Sequence, residues 1–219
     1  KLRGESGTKV LVEVTSESGE TKEIDLERRS VDLRPVRTKR LRDDSHTIGY
    51  LRITQFSESV PKKINEALEE LKEKEVEGII LDLRNNSGGL VSSGIAVADS
   101  FLSEMPVVET KDRNGIKDAI ISEKETSYDG PMVTLVNKGT ASASEILAGS
   151  LKDNGRSILM GEKTYGKGLI QSLKSLGEDS GIAITVASYL TPNGNDIQGQ
   201  GIKPDKLLDL PDTSEYGSS

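Results

Sequence analysis

A hydroxyl and an amine in two neighbouring motifs could form a catalytic pair. Ser142 lies in Thr140-Ala-Ser-Ala-Ser-Glu145, and Lys167 lies in Gly161-Glu-Lys-Thr-Tyr-Gly-Lys-Gly168. A serine hydroxyl needs a base before it can attack a carbonyl, and because the chain has one histidine, lysine is the alternative base. A lysine amine has a reference pKa of about 10.4, so this role requires burial that lowers it. The two motifs predict a serine–lysine site.

Each motif also has an interpretation without catalysis. Ser142 and Glu145 match the capping box S-x-x-E, which begins a helix. Lys167 lies between two glycines, as in many surface turns. Its motif has the spacing of a nucleotide-binding P-loop as well, but Gly168 stands where the Mg²⁺-binding hydroxyl belongs and a strand-like run follows. From these residues alone the alternatives stay open.

Backbone donors for a negative charge are predicted beside Ser142. The apolar run 132–136 is typical of a buried strand and 146–151 of a helix, so Ser142 lies where unpaired N–H groups and the positive end of the helix dipole gather. A second strand end carries Asn85-Asn-Ser-Gly-Gly89. There a glycine N–H could pair with the Ala143 N–H as an oxyanion hole, or the glycines could simply form a turn.

Other polar residues suggest less. Asp82 is either an orienting carboxylate or a local partner of Arg84. The single histidine, His46, lies in a polar stretch and is predicted to be at the surface. The absence of cysteine excludes disulfides, a cysteine nucleophile and cysteine-ligated metal, and one histidine excludes a multi-histidine metal site.

Composition limits the class of protein. The 219 residues, 33% hydrophobic and 30% charged, fit one large domain or one domain plus a fragment. A net charge of −7 argues against a general nucleic-acid binder. No apolar run approaches the roughly 18–20 residues that span a membrane. The chain opens on Lys1 without an initiator methionine, so we expect a mature or trimmed fragment.

The order of elements predicts an α/β fold with a mostly parallel sheet and added antiparallel strands. In such sheets, sites form at the carboxyl ends of strands. Strands are predicted at 9–14, 22–27, 47–53, 78–83, 106–110, 117–122, 132–136, 157–160, 169–176 and 181–189, and helices from Ser59, over 90–102 and over 142–153.

From Thr47 to Asp205 the chain resembles the carboxyl-terminal processing, or tail-specific, proteases of the serine–lysine class. The resemblance rests on these stretches: Ile-Gly-Tyr-Leu-Arg-Ile53, Leu-Asp-Leu-Arg-Asn-Asn-Ser-Gly-Gly89, Val-Asn-Lys-Gly-Thr-Ala-Ser-Ala-Ser-Glu-Ile-Leu-Ala-Gly149, Gly-Glu-Lys-Thr-Tyr-Gly-Lys-Gly168 and Gly201-Ile-Lys-Pro-Asp205. In that family the nucleophile is the middle serine, here Ser142 rather than Ser144. The base follows 25 residues later, which selects Lys167 over Lys163.

The resemblance also implies a mechanism without metal or cofactor. Ser142 attacks the scissile carbonyl while neutral Lys167 takes its proton, and the Ala143 and Gly88 N–H groups hold the oxyanion. Lys167, supported by Gln171, then protonates the leaving amine, and water hydrolyses the acyl-enzyme.

The implied organisation is a remnant of a PDZ domain at 1–30, a linker with the first core strand at 31–46, the protease core at 47–210 and a disordered tail at 211–219. In this family the PDZ domain grips the carboxyl end of the substrate and gates the site. Its carboxylate-binding loop and specificity helix are not recognisable here, so we expect tail recognition and gating to need more than this segment.

The core motifs are most similar to the cyanobacterial and plastid branch, which trims the photosystem II D1 protein. The implied partners are C-terminal tails of proteins, including membrane proteins, and not nucleic acid. The implied setting is the bacterial periplasm or the thylakoid lumen. A hypothesis from another class is a non-catalytic module that binds extended peptides by strand addition. A P-loop-like nucleotide binder would instead show Mg²⁺-dependent ATP binding.

Overall fold

The structure, a computed structural model, describes residues 2, 4–29, 34–42, 45–115, 117–123, 125–177 and 180–208. The chain divides into two compact units, Lys1–Arg34 and Pro35–Ser219. The tail predicted to be disordered, 211–219, lies outside the described residues. In the part of the chain that is described, no helix is both long enough and apolar enough to cross a membrane.

The first unit is the predicted hairpin. Its strands, β1 (Lys9–Thr15) and β2 (Thr21–Glu27), pair antiparallel along their full length. Large apolar side chains such as Leu11 and Leu26 are about half exposed in it. A two-stranded hairpin is marginally stable at best by itself. Its resemblance to the end of a PDZ domain stays a prediction.

The second unit is built on a six-stranded sheet in the order β12-β9-β8-β5-β4-β3. All neighbours pair parallel except β3, which runs antiparallel to β4 at one edge. This confirms the predicted α/β class with a mostly parallel sheet. The elements are β3 (Val36–Arg42), β4 (Thr47–Ile53), α1 (Val60–Glu73), β5 (Gly78–Asp82), α2 (Val91–Asp99), β6 (Pro106–Asp112), β7 (Lys117–Ile121), β8 (Met132–Val136), α3 (Ala143–Asp153), β9 (Ile158–Gly161), β10 (Leu169–Gly177), β11 (Ser180–Leu190) and β12 (Lys206–Leu207).

Helices α1 and α3 pack apolar side chains into the core. Five apolar residues that recur at helical spacing along α1 are all buried: Val60, Ile64, Ala67, Leu68 and Leu71. Helix α3 is buried without interruption from Ala143 to Leu151, because it packs against α2, β6 and β9. Such a helix is a rigid support for anything at its N-terminus.

The remaining strands form the predicted antiparallel addition, a four-stranded sheet in the order β10-β11-β6-β7. Strand β10 is at its edge and begins two residues after Lys167. The loops after β5, β8 and β9 all leave the carboxyl ends of parallel strands, so they meet at one edge of the main sheet. The predicted site residues lie in these loops and at the start of β10.

Candidate active site

Ser142 lies at a strained turn between strand β8 and helix α3. It directly precedes the first helical residue and has φ 58° and ψ −122°, a backbone conformation that a residue with a Cβ rarely adopts. The turn is tied to the loop after β5. The Thr140 hydroxyl donates to the Leu83 carbonyl at 2.9 Å, and the Ala141 N–H donates to the Asn86 carbonyl at 3.0 Å. The half-buried Ser142 is thus presented on a fixed backbone.

Gly88 lies directly against this turn. A Cβ on Gly88 would be 2.8 Å from the Ser142 Cβ, and its φ of 101° also favours glycine. The Gly88 N–H donates to Asn86 Oδ1 at 2.9 Å in this structure. The Ala143 N–H belongs to the first turn of α3, and the hydrogen bonds of the described residues include no acceptor for it. The predicted oxyanion donors are adjacent, and one of them is engaged within its own turn.

Lys167 reaches the site with its backbone rather than with a buried amine. Its N–H donates to Glu145 Oε2 at 2.8 Å, but its side chain is exposed, so the burial that the role of base requires is not present in this structure. The physical reason is that the glycines themselves are buried. A Cβ on Gly166 would be 3.0 Å from the Gly201 nitrogen, and one on Gly168 would be 2.7 Å from the Gln198 nitrogen.

Gln171 lies in strand β10 opposite Thr185 and is exposed. A β-bulge between Ile170 and Gln171 interrupts the register there, and bulges redirect side chains. Among the described residues no hydrogen bond joins Lys167 to the Ser142 hydroxyl or to Gln171. The structure therefore brings the Ser142 and Lys167 backbones together and leaves the lysine and glutamine side chains in solvent.

Glu145 is the site residue that sequence reasoning reduced to a helix cap. Its Oε2 accepts from the Ser142 N–H at 2.8 Å, which is the carboxylate half of the predicted capping box. It also accepts from the loop that carries Lys167, and it is fully buried. The signal available in the sequence was an acidic residue directly before the apolar run Ile146–Leu151 of α3.

Asp82 is a local partner of Arg84, as one of the two interpretations held. The Arg84 side chain donates to both carboxylate oxygens, at 2.9 and 2.7 Å. Burial raises the pKa of the Asp82 carboxyl, but the hydrogen bonds from Arg84 and Tyr50 outweigh it and hold that pKa below its ordinary value. The prediction for His46 is confirmed, since it is exposed and hydrogen-bonded to Glu77 at 2.9 Å.

An open cavity of about 580 Å³ adjoins the glycine pair. Phe56, Gly89 and Leu90 contribute to its wall, and Leu90 is 44% exposed. The backbone of Phe56 is bonded on both sides of Gly89, to the Gly88 carbonyl and to the Leu90 N–H. The cavity is therefore a fixed recess next to the predicted oxyanion donors.

Comparison with known proteins gives consistent matches. Residues 47–208 match Peptidase family S41. The chain is 46% identical over 215 residues to a carboxyl-terminal-processing protease of Synechocystis sp., covering 96% of this chain and 50% of the relative. It is 41% identical to the chloroplastic carboxyl-terminal-processing peptidase 2 of Arabidopsis thaliana, covering 94% of this chain and 41% of the relative.

Among solved structures, the photosystem II D1 C-terminal processing protease is similar, with a TM-score of 0.79 and 37% identity. The match covers 94% of this chain and 57% of that chain. The chain thus spans about half the length of the relatives that it matches.

Proposed function

Because the chain belongs to peptidase family S41, we propose that it carries the catalytic site of a serine endopeptidase that cleaves near the carboxyl termini of proteins. One observation carries the proposal. The Ser142 N–H and the Lys167 N–H donate to the same oxygen, Glu145 Oε2, at 2.8 Å each. The backbones of a strained serine at a helix N-terminus and of a lysine on the adjoining loop therefore lie side by side, which supports Ser142 as the nucleophile and Lys167 as its base.

The proposed mechanism uses only residues of this chain. The Ser142 hydroxyl attacks the scissile carbonyl as the neutral Lys167 amine takes its proton, and Lys167 later gives that proton to the leaving amine. The Ala143 N–H holds the oxyanion, joined by the Gly88 N–H when it exchanges Asn86 Oδ1 for the substrate oxygen. Gln171 supports the amine. Water then hydrolyses the acyl-enzyme.

Because the Lys167 side chain is exposed, we propose that the bound substrate shields it from water. A peptide lying over the site would cover the amine and exclude water from it. The recess beside Gly89 is placed to take a substrate side chain next to the reacting carbonyl.

The substrate class is proposed from the relatives. Both relatives are named for carboxyl-terminal processing, and the similar solved structure is named for processing of the photosystem II D1 protein. We propose the C-terminal tails of proteins as substrates, with the D1 precursor as one candidate. The corresponding compartments are the bacterial periplasm and the thylakoid lumen.

The test is cleavage of an unstructured peptide with an apolar carboxyl terminus, followed by mass spectrometry. We expect Ser142→Ala and Lys167→Ala each to lower the cleavage rate by about 1,000-fold or more, since each removes one member of the reacting pair. Two matched substitutions serve as controls. Ser144→Ala removes a buried hydroxyl that bonds to the Asn86 carbonyl, and Lys163→Ala removes an exposed amine of the same loop.

The outcomes separate the hypotheses. Loss of cleavage in Ser144→Ala or Lys163→Ala, with activity kept in Ser142→Ala and Lys167→Ala, would contradict the proposed pair. Peptide binding without any cleavage, unchanged in Ser142→Ala, would identify a non-catalytic binding module. A nucleotide site is disfavoured because Lys167 leads into strand β10, whereas a P-loop leads into a helix whose N-terminus binds phosphate.

A further inference from the structure

Glu145 is a fully buried carboxylate whose contacts exceed what a helix cap requires. Carboxylates are rarely buried without partners, because removing their charge from water is costly. A cap at the start of α3 needs only the bond from the Ser142 N–H to Oε2. Glu145 makes three more hydrogen bonds, and all of them go to the loop between β9 and β10.

Those three bonds come from residues 162–168, the segment that carries Lys167 and is called the lysine loop below. The Thr164 hydroxyl and the Gly166 N–H donate to Oε1, each at 2.6 Å, and the Lys167 N–H donates to Oε2 at 2.8 Å. All four donors to the carboxylate are uncharged groups, so the carboxylate replaces its lost hydration with a preorganised set of hydrogen bonds.

This carboxylate defines the path of the lysine loop. Residues 162–168 form neither helix nor strand, so backbone ladders do not fix their geometry. The Thr164 N–H donates to the Ile202 carbonyl and the Tyr165 N–H to the Thr140 carbonyl. The next two N–H groups, those of Gly166 and Lys167, both end on Glu145. The point from which the lysine side chain leaves the backbone is therefore set by an atom that also holds Ser142.

We propose that Glu145 is a positioning residue that fixes the separation and orientation of Ser142 and Lys167 through one shared carboxylate. This inference rests on the proposed function. The hydrogen bonds of the Glu145 carboxylate go to the backbones of Ser142 and Lys167 and not to their side chains, so it acts through these two residues. Misplacing a reacting group by about 1 Å can cost about 100-fold in rate, so loosening this carboxylate should lower kcat far more than it changes KM.

Two substitutions test the role at different severity. Glu145→Gln keeps the shape but places an amide that donates where two N–H donors now point. Thr164→Val keeps the volume but removes the hydrogen bond to Oε1 and the one that the hydroxyl accepts from the Ile202 N–H, whereas Thr164→Ser keeps the hydroxyl and serves as the conservative rescue for both. Glu162→Gln is the matched control, since Glu162 lies in the same loop, pairs with Lys138 and is 34% exposed.

We expect kcat for the peptide to fall about 100-fold in Glu145→Gln and about 10-fold in Thr164→Val, with KM within about 3-fold of wild type. Thr164→Ser and Glu162→Gln should keep kcat within about 2-fold. Thermal unfolding confirms that each variant is folded at the assay temperature, and Thr164→Val carries the test if Glu145→Gln does not fold. A wild-type kcat in folded Glu145→Gln or Thr164→Val would overturn the proposal.

A second readout does not depend on turnover. The Gly166 and Lys167 amides bind different oxygens of Glu145, and glutamine keeps only one acceptor oxygen. Hydrogen exchange of at least one of these two amides should therefore be at least about 10-fold faster in Glu145→Gln than in wild type, and both should be unchanged in Glu162→Gln. If wild type failed to cleave any peptide, the proposed function would fail while this exchange result still decided the role of Glu145. Unchanged exchange in Glu145→Gln would overturn it.

Discussion

Two carboxylates, Asp82 and Glu145, are buried among the described residues, and they differ in the charge of their hydrogen-bond partners. Asp82 is neutralised by the Arg84 guanidinium, which binds both of its oxygens. Glu145 is surrounded by N–H and hydroxyl donors without a cation among its hydrogen-bond partners in the described segments. We therefore expect the Asp82–Arg84 ion pair to contribute to the stability of the fold, and the Glu145 carboxylate to fix the positions of the loops that donate to it.

The Asp82 pair should make stability depend on pH. Because the folded-state pKa of Asp82 is lowered, its stabilisation is present above the unfolded-state pKa of about 3.9 and is lost as the pH falls through the lower folded-state value. We expect Asp82→Asn to lower the free energy of unfolding by about 3 kcal/mol at neutral pH, since it leaves Arg84 without its charge partner.

Urea unfolding of wild type and Asp82→Asn at pH 7 and pH 3 measures this effect. The difference in free energy of unfolding should narrow at the lower pH. Asp118→Asn, on an exposed residue of β7, controls for the general effect of removing an acid. A difference for Asp82→Asn that is the same at both pH values would show that the carboxylate charge does not carry the stabilisation.

At the scale of elements, the segment after β11 supports the lysine loop from outside. The Ile202 N–H donates to the Thr164 hydroxyl at 2.7 Å, and the Gly199 N–H donates to the Gly166 carbonyl at 2.9 Å. Gly201 makes this approach possible, because a Cβ there would lie 2.4 Å from the Thr164 carbonyl oxygen.

A pair of glycine substitutions isolates that contact. Gly199 and Gly201 both have left-handed φ values, 70° and 61°, so alanine costs about 1 kcal/mol of strain at either position. A Cβ at Gly199 meets nothing within 4 Å, whereas one at Gly201 pushes on the loop that carries Lys167. We expect Gly201→Ala to lower kcat at least about 10-fold and Gly199→Ala to keep it within about 2-fold. Equal peptide cleavage by the two variants would contradict the supporting role.

Elements with a strong local pattern were predictable. The strand at 132–136 and the buried face of α1 follow from apolar runs and 3.6-residue spacing, and both are found as predicted. Strand β3 shows the limit: four of the seven residues over Val36–Arg42 are basic, so the sequence placed a first core strand only somewhere within 31–46. It is a strand because all seven residues pair with β4. Likewise β12, where no strand was predicted, depends on pairing with β9.

The turn that carries Ser142 was predictable from the sequence, but the contacts around it were not. The turn at Ser142 follows from a strand next to a helix, which is local information. The exposure of Lys167 depends on how Gly166 and Gly168 pack against residues 197–201, about 30 positions away in the chain. The role of Glu145 depends in the same way on a loop that begins after β9. Such contacts have no signature in residue spacing.

At the scale of the whole molecule, the two units differ in how much core each contains. The contiguous hydrophobic core runs from Leu51 to Ile202 and lies wholly within Pro35–Ser219. The unit Lys1–Arg34 contains the β1–β2 hairpin, and most of its described apolar residues are exposed. Among the described residues, the strands of each unit pair only with strands of the same unit. The stability of the main unfolding transition should therefore come from the second unit alone.

Deleting residues 1–34 tests this division. Because no core residue is removed, we expect the Tm of the main transition to stay within about 3 °C of the intact chain, a shift that corresponds to less than about 1 kcal/mol at this size. Cleavage of an unstructured peptide should likewise stay within about 2-fold, since the Ser142, Glu145 and Lys167 contacts all lie in the retained part. Differential scanning calorimetry and the mass-spectrometric assay measure the two quantities on the same samples. A Tm lowered by 10 °C would instead make the hairpin part of the cooperative fold, and an unchanged Tm with lost cleavage would assign residues 1–34 to substrate binding.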